Sequence, residues 1–125
     1  MSDTTILVED VMSAPLETTS PDATIRAAAQ QMHNNEINAL FVPGATAGIV
    51  TTTDVVTTVA RGDDPSTVRV GDVMTSPVER VTTATELNEA ATMMTNFGIK
   101  HLPVIDDHGD YIGMVSSTDT TIEFA

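Results

Sequence analysis

The sequence contains no cysteine, which rules out disulfides and any thiolate site. It has a single lysine, Lys100, and five basic residues in all against 18 acidic ones, for a formal charge of −13. Such a field opposes association with nucleic-acid backbones and anionic membrane surfaces. No apolar run approaches the roughly 18 residues of a membrane span, and no basic segment leads into an apolar core at the N-terminus. A cytoplasmic location is expected, with neither membrane nor nucleic acid as partner. Catalytic signatures are also missing: there is no G-x-S-x-G, no P-loop and no evident pair of catalytic carboxylates. His33, His101 and His108 do not stand at metal-ligand spacing. The acidic run at residues 106–110 lacks the alternating ligands and closing glutamate of a calcium loop. It reads instead as a hairpin turn with Gly109 at positive φ. No catalytic residue, resident metal or required cofactor is expected.

What the chain does have is repetition. Gly113-Met114-Val115-Ser116-Ser117-Thr118-Asp119 echoes Gly48-Ile49-Val50-Thr51-Thr52-Thr53-Asp54. In each copy a glycine opens a short β-branched run that suits a buried strand. A hydroxyl residue then precedes an aspartate by three positions, which is a helix-start signal. Each copy therefore predicts a strand running directly into a helix N-terminus, with backbone N–H groups facing the strand tip. The duplication extends well beyond this motif. Asp72-Val73-Met74 repeats Asp10-Val11-Met12, and Pro77, Met94, Ile99, Leu102 and Val104 match Pro15, Met32, Ile37, Leu40 and Val42 at the same offset. The second copy carries a longer polar turn at residues 106–110, where an insertion is cheaply absorbed.

The chain of 125 residues thus divides into repeats at 4–61 and 67–125 with a linker at 62–66. Halves of about 60 residues are marginal alone and should share a core. Residues 1–3 are expected to fray. Residues 5–8 and 67–70 read as short strands, followed by single helical turns that Pro15 and Pro77 stop. Residues 16–19 and 78–81 read as extended. Leu87, Ala90, Ala91, Met94 and Phe97 make one face of an amphipathic helix, with Thr85 as its N-cap and Gly98 as its stop. Ile25, Ala28, Ala29 and Met32 make the equivalent face in the first half. Residues 37–42 and 99–105 read as strands. The final helix looks abbreviated, since only residues 120–125 follow Asp119. The fold class expected is α+β, two β-α-β-β-α repeats.

In this order, the motifs resemble a tandem pair of CBS domains, a Bateman module, over nearly the whole chain. The residues that carry the likeness are Asp-Val-Met-x-x-Pro at 10–15 and 72–77, the helices holding Met32 and Met94, Gly98-Ile99-Lys100-His101-Leu102-Pro103-Val104, and the two Gly-h-Val-S/T-x-x-Asp motifs. The resemblance implies two repeats packed through their sheets with pseudo-twofold symmetry, and association of modules into a homodimer. It implies that clefts between the repeats bind an adenosine ligand such as AMP, ADP, ATP or S-adenosylmethionine, as a regulatory signal to an effector protein that the sequence does not name. Carried over by position, Ser116 and Asp119 in the second repeat, and Thr51 and Asp54 in the first, contact phosphate and ribose. Lys100 and His101 lie beside the phosphates, with Asn38 in the corresponding place. Thr75 in the second repeat and Ser13 in the first wall the base. The first repeat departs from the pattern by having Asn38-Ala39 in place of Lys100-His101, so its phosphate locus lacks charge. The alternative reading is a scaffold for protein–protein interaction whose sites hold no ligand. The scattered acids, set against one lysine, read as adaptation to high salt, as in a halophile; a basic partner would be the other explanation.

Overall fold

The computed structural model describes residues 5–124, with residues 122–124 described as backbone only. The expected fraying of residues 1–3, and the first residue of the repeat begun at 4, lie outside this range. The elements run α1 (Val8–Val11), α2 (Ile25–Asn35), β1 (Ala39–Val42), β2 (Gly48–Thr51), α3 (Thr52–Ala60), α4 (Val70–Val73), β3 (Val81–Thr82), α5 (Leu87–Phe97), β4 (His101–Ile105), β5 (Tyr111–Ser116) and α6 (Ser117–Phe124). The fold is α+β. Two compact units result, and each draws on both repeats. One is Glu17–Val78; the other joins the residues up to Leu16 to those from Glu79 onward. The repeats read from the sequence and the units formed in space are therefore offset, because each Asp-Val-Met segment packs with the other repeat.

In the Glu17–Val78 unit, β1 and β2 form an antiparallel hairpin with Ala39 opposite Thr51 and Val42 opposite Gly48. Thr18 adds a parallel bridge to Phe41, and Thr75 an antiparallel bridge to Ile49. Ile25, Ala28 and Met32 of α2 bury one face against Leu40, Val42 and Val50, and Val70 of α4 completes the cluster. This is the stripe that the i, i+3, i+4, i+7 spacing predicts. Thr24 starts α2 by accepting a 3.0 Å hydrogen bond from the Ala27 amide. Glu36 ends it in the left-handed region at φ 56°.

The second unit is built alike. β3 pairs in parallel with β4, and β4 pairs antiparallel with β5, placing His101 opposite Ser116 and Val104 opposite Gly113. Ser13 bridges Met114 on the far edge of β5. The core is Val8, Val81, Leu87, Ala90, Met94, Leu102, Val104 and Val115. Gly98 ends α5 at φ 65°, and Gly109 turns the hairpin at φ 82°, as the sequence predicts. Here glycine holds the left-handed conformation that Glu36 must adopt in the other unit at a cost of roughly 1–2 kcal/mol.

Several expectations of detail give way. The Thr85 side chain is not the cap of α5: the N-cap is Glu86, and the Thr85 hydroxyl instead accepts from the Thr82 amide at 3.0 Å. The strands expected at residues 5–8 and 67–70 reduce to single bridges, Leu7 to Glu86 and Arg69 to Thr24, because α1 and α4 begin at the next residue. An aspartate at the third position caps each of those one-turn helices. Asp10 accepts from the Leu7 amide at 2.8 Å and Asp72 from the Arg69 amide at 3.2 Å, which explains the aspartate of both Asp-Val-Met motifs. Nor is the last helix abbreviated: α6 starts before Asp119 and has 8 residues beside the 9 of α3.

Both exchanged segments rest on a strand glycine. A Cβ on Gly113 would lie 2.8 Å from the Ser13 carbonyl oxygen and 2.9 Å from the Met12 sulfur; on Gly48 it would lie 2.6 Å from the Met74 sulfur and 3.2 Å from the Thr75 oxygen. A methionine side chain can swing away, whereas a carbonyl held in a strand bridge cannot without moving the backbone. Gly113→Ala should therefore destabilise by about 1–3 kcal/mol, the range for overpacking, and Gly48→Ala by less. Urea unfolding of both variants checks this, and equal losses would contradict the different roles given to the two contacts.

Candidate functional site

Each β-strand that carries one of these glycines ends at a helix. In the second unit, Ser116 closes β5 and Ser117 opens α6. The Ser116 amide donates to Asp119 Oδ2 at 2.7 Å, and the Ser116 hydroxyl lies 3.1 Å from the same oxygen. The Asp119 amide returns a bond to Ser116 Oγ at 3.3 Å. This is the reciprocal capping box that Ser-x-x-Asp predicts. The Ser117 amide donates to the Lys100 carbonyl at 2.9 Å, which ties the helix start to the beginning of β4. The amides of Ser116, Ser117 and Asp119 are thus already engaged, so this junction does not offer the open row of donors expected from the sequence.

The same bonds gather the side chains. Directly opposed residues on antiparallel strands present their side chains on one face with Cβ atoms about 4.5–5.5 Å apart, so His101 stands beside Ser116. Asp119 and Lys100 both act electrostatically on the His101 ring. His101, Ser116 and Asp119 are half-buried; Lys100 is exposed. Burial is the largest influence on His101 and lowers its pKa from the ordinary value of 6.5; Asp119 opposes that shift and Lys100 adds to it. The imidazole is accordingly neutral at pH 7 and able to accept a hydrogen bond on one nitrogen. Asp119 uses Oδ2 for the cap, which leaves Oδ1 directed to no bond among the described residues.

The Glu17–Val78 unit repeats this backbone with different side chains. The Thr51 amide donates to Asp54 Oδ2 at 2.9 Å, with the Thr51 hydroxyl at 3.4 Å from that oxygen. The Thr52 amide donates to the Asn38 carbonyl at 3.0 Å. Ala39, which is buried, stands opposite Thr51 where His101 stands opposite Ser116. Asn38 is exposed, as Lys100 is. This junction has a carboxylate and a hydroxyl but neither the lysine nor the histidine of its counterpart.

Ser13 and Thr75 change places relative to the expectation. Ser13 exchanges backbone hydrogen bonds with Met114 at 2.8 and 3.0 Å, and so joins the unit of Ser116 and Asp119. Thr75 exchanges bonds with Ile49 at 2.9 and 3.0 Å, in the unit of Thr51 and Asp54. Both are exposed beside the strand that leads to the junction. Each lies near its own repeat in sequence but pairs in space with a strand of the other. The signal for the crossing is the strand glycine, Gly113 or Gly48, where a side chain would meet the other segment. Among the described residues no group of three or more acidic or histidine side chains is arranged to hold a metal ion, and no helix is long and apolar enough to cross a membrane.

A duplicated α+β unit with a capped strand–helix junction in each copy defines a class of small paired modules. The CBS domain model matches residues 8–61 and 70–121, and the chain belongs to that family. It is 33% identical to an uncharacterised protein of Methanopyrus kandleri over 91% of this chain, while spanning only 60% of that relative's length. It is 30% identical to the CBS domain-containing protein YhcV of Bacillus subtilis over 92% of this chain and 83% of YhcV. Among solved structures, the CBS domain pair of protein MJ0100, crystallised with 5′-methylthioadenosine and S-adenosyl-L-methionine, superposes with a TM-score of 0.87 at 26% identity, covering 97% of both chains.

The two carboxylates have a structural duty that can be measured without any ligand. Asp119→Ala removes the acceptor of the Ser116 amide and should destabilise by about 1 kcal/mol, the usual worth of a cap. Ser116→Ala removes the two longer hydroxyl contacts at 3.1 and 3.3 Å but keeps the 2.7 Å amide bond to Asp119, so its loss should be smaller. Urea midpoints of the two variants check the order.

Proposed function

We propose that this chain is a regulatory module that binds an adenosine ligand at its strand–helix junctions and passes the occupancy to a partner protein. The observation that carries the reading is the convergence of Ser116, Asp119, Lys100 and His101 at one junction. An ionised carboxylate is acceptor-only, so Asp119 would receive a ribose hydroxyl on Oδ1 while Oδ2 keeps the cap. Ser116 would contact the phosphate or ribose, and Lys100 would supply the positive charge for phosphate. Ser13, exposed beside Met114, would stand near the base. Thr51, Asp54, Asn38 and Thr75 would play the matching parts in the other unit, where the missing lysine disfavours phosphate. The ligands crystallised with the MJ0100 pair support an adenosyl compound as the ligand class. Homodimerisation and a cytoplasmic setting go with this reading, and the −13 charge would suit a high-salt interior.

Thermal melting with AMP, ADP, ATP or S-adenosylmethionine tests the reading, since a ligand that binds the folded state raises the melting temperature by mass action. If none does so, the scaffold alternative stands in its place. With a binder in hand, Asp119→Ala should weaken it by about 1.5–3 kcal/mol, the range for a hydrogen bond to a charged group. Lys100→Ala should weaken AMP and ATP far more than adenosine; calorimetry showing equal losses would remove Lys100 from the site.

Salt separates local attraction from the global field. Between about 0.1 and 1 M the screening length falls from ~10 to ~3 Å, which removes long-range repulsion between an acidic chain and a nucleotide but spares a partly buried contact. Affinity for AMP or ATP should hold level or rise as KCl is raised to about 2 M, with the melting temperature rising as well. Titrations with adenosine as the uncharged control check this. A steep fall for the charged ligands alone would contradict it.

A further inference from the structure

At the Ser116 junction a half-buried histidine stands opposite the serine and within the electrostatic reach of a capped carboxylate and a lysine. We infer that His101, which stands opposite Ser116 at the junction held by Asp119, is a proton-coupled phosphate sensor that takes up one proton from solvent when a phosphate-bearing nucleotide occupies the site. The inference rests on the reading of this junction as a nucleotide site, and adds to it a dependence on pH.

The groups that set the protonation state of His101 can be named element by element. β5 opposes the ring with the uncharged Ser116. α6 contributes Asp119, whose carboxylate is held toward the strand end by the Ser116 amide and hydroxyl. The residue before β4 contributes Lys100. The one titratable side chain of α5, Glu89, sits in its first turn, remote from the end that leads into β4. β3 contains only Val81 and Thr82. One positive and one negative charge therefore act on the ring and oppose one another, and burial decides in favour of the neutral form.

A phosphate arriving beside Lys100 would upset that balance. It brings one or two further negative charges to a ring that is already partly desolvated, where charge interactions are stronger than in water. The protonated imidazole then becomes favoured, and it can donate from both nitrogens where the neutral ring donates from one. The proton goes onto a ring nitrogen and comes from the buffer; no bond to the ligand is made or broken. Adenosine brings no charge and would leave the ring neutral. The other unit has Ala39 in the corresponding position and would show no such coupling.

The sign follows from linkage. In the empty site His101 titrates below its ordinary value of 6.5, and in the complex it titrates higher. Between those two points the complex holds a proton that the empty site lacks, so affinity is greatest at the acid end and falls as pH rises. The fall is up to about tenfold per pH unit for one proton, and vanishes above the raised value. AMP itself titrates near pH 6, as phosphate monoesters do, so the diagnostic quantity is the difference between the wild type and His101→Gln, in which that contribution is common.

The experiment is calorimetry of the full chain with AMP near pH 6.5, in two buffers of different ionisation enthalpy, repeated with adenosine. More protons taken up by the wild type than by His101→Gln, with no uptake for adenosine, is the expected result. AMP binding with the same proton count in both proteins overturns the proton coupling while leaving the nucleotide site standing. Absence of AMP binding at any pH overturns the site reading and the coupling with it. Should His101→Gln fail to fold, the His101 ring signal is followed by NMR in the wild type, assigned as the one retained in both His33→Gln and His108→Gln. Its titration midpoint should move upward with AMP and stay in place with adenosine. A midpoint that AMP does not move overturns the inference.

Discussion

The rest of the structure depends on the close approach of a crossing segment to a strand glycine, made twice. At Gly113 a Cβ would lie 2.8 Å from the carbonyl oxygen of Ser13, and at Gly48 it would meet the Met74 side chain, with the Thr75 carbonyl oxygen at 3.2 Å. Each approach closes a sheet edge by backbone hydrogen bonds, and each brings a valine from the adjoining one-turn helix, Val8 or Val70, fully into a core. A repeat of about 60 residues has too little apolar surface to stand alone. Here the shortage is met by exchange: each unit borrows the Asp-Val-Met segment of the other repeat. The glycines make that exchange sterically possible, and the aspartates Asp10 and Asp72 make the borrowed turns rigid by capping them.

The same economy of polar groups shapes the junctions. Aspartate at the third helical position does two things that compete for its lone pairs. It satisfies the N-cap amide, which stabilises the helix start, and it presents an oxygen to whatever lies beyond the strand tip. Because Asp119 and Asp54 place their cap bonds on one oxygen, the helix start makes no use of the second. The geometry of each junction is fixed by folding, through bonds made within the junction itself. The two junctions share this backbone and differ in the pair Lys100-His101 against Asn38-Ala39, so their difference in electrostatic character comes from side chains placed on an equivalent frame.

Much of this was legible in the sequence. The period of the apolar residues in α2 and α5 identified their buried faces, since a 3.6-residue repeat can bury Ile25, Ala28 and Met32, or Leu87, Ala90 and Met94, only on one side. The Ser/Thr-x-x-Asp spacing identified the start of α3 and α6, since capping is settled within four residues. Gly98 and Gly109 identified positive-φ positions for the same local reason. Duplication supported each assignment by repeating it. Where a side chain had another partner within reach, the local signal did not decide: the Thr85 hydroxyl accepts from the Thr82 amide in the preceding turn, and the N-cap position of α5 falls to Glu86.

The amino-acid sequence by itself determined the elements, their duplication, the family, and the identity of the paired hydroxyl and carboxylate at each strand end, because these follow from bonds made among near neighbours in the chain. Tertiary structure alone decided which segment crosses which strand. Ser13 belongs with Ser116, and Thr75 with Thr51, although the repeat pattern puts each with the other set. It also decided that His101 is held neutral, since that depends on how deeply the ring is buried and on the opposing charges of Asp119 and Lys100. The physical reason is common to both. Pairing of distant segments and desolvation of a side chain are set by what packs around a residue, and no stretch of sequence around His101 or Ser13 contains the Asp119 or Met114 that they meet.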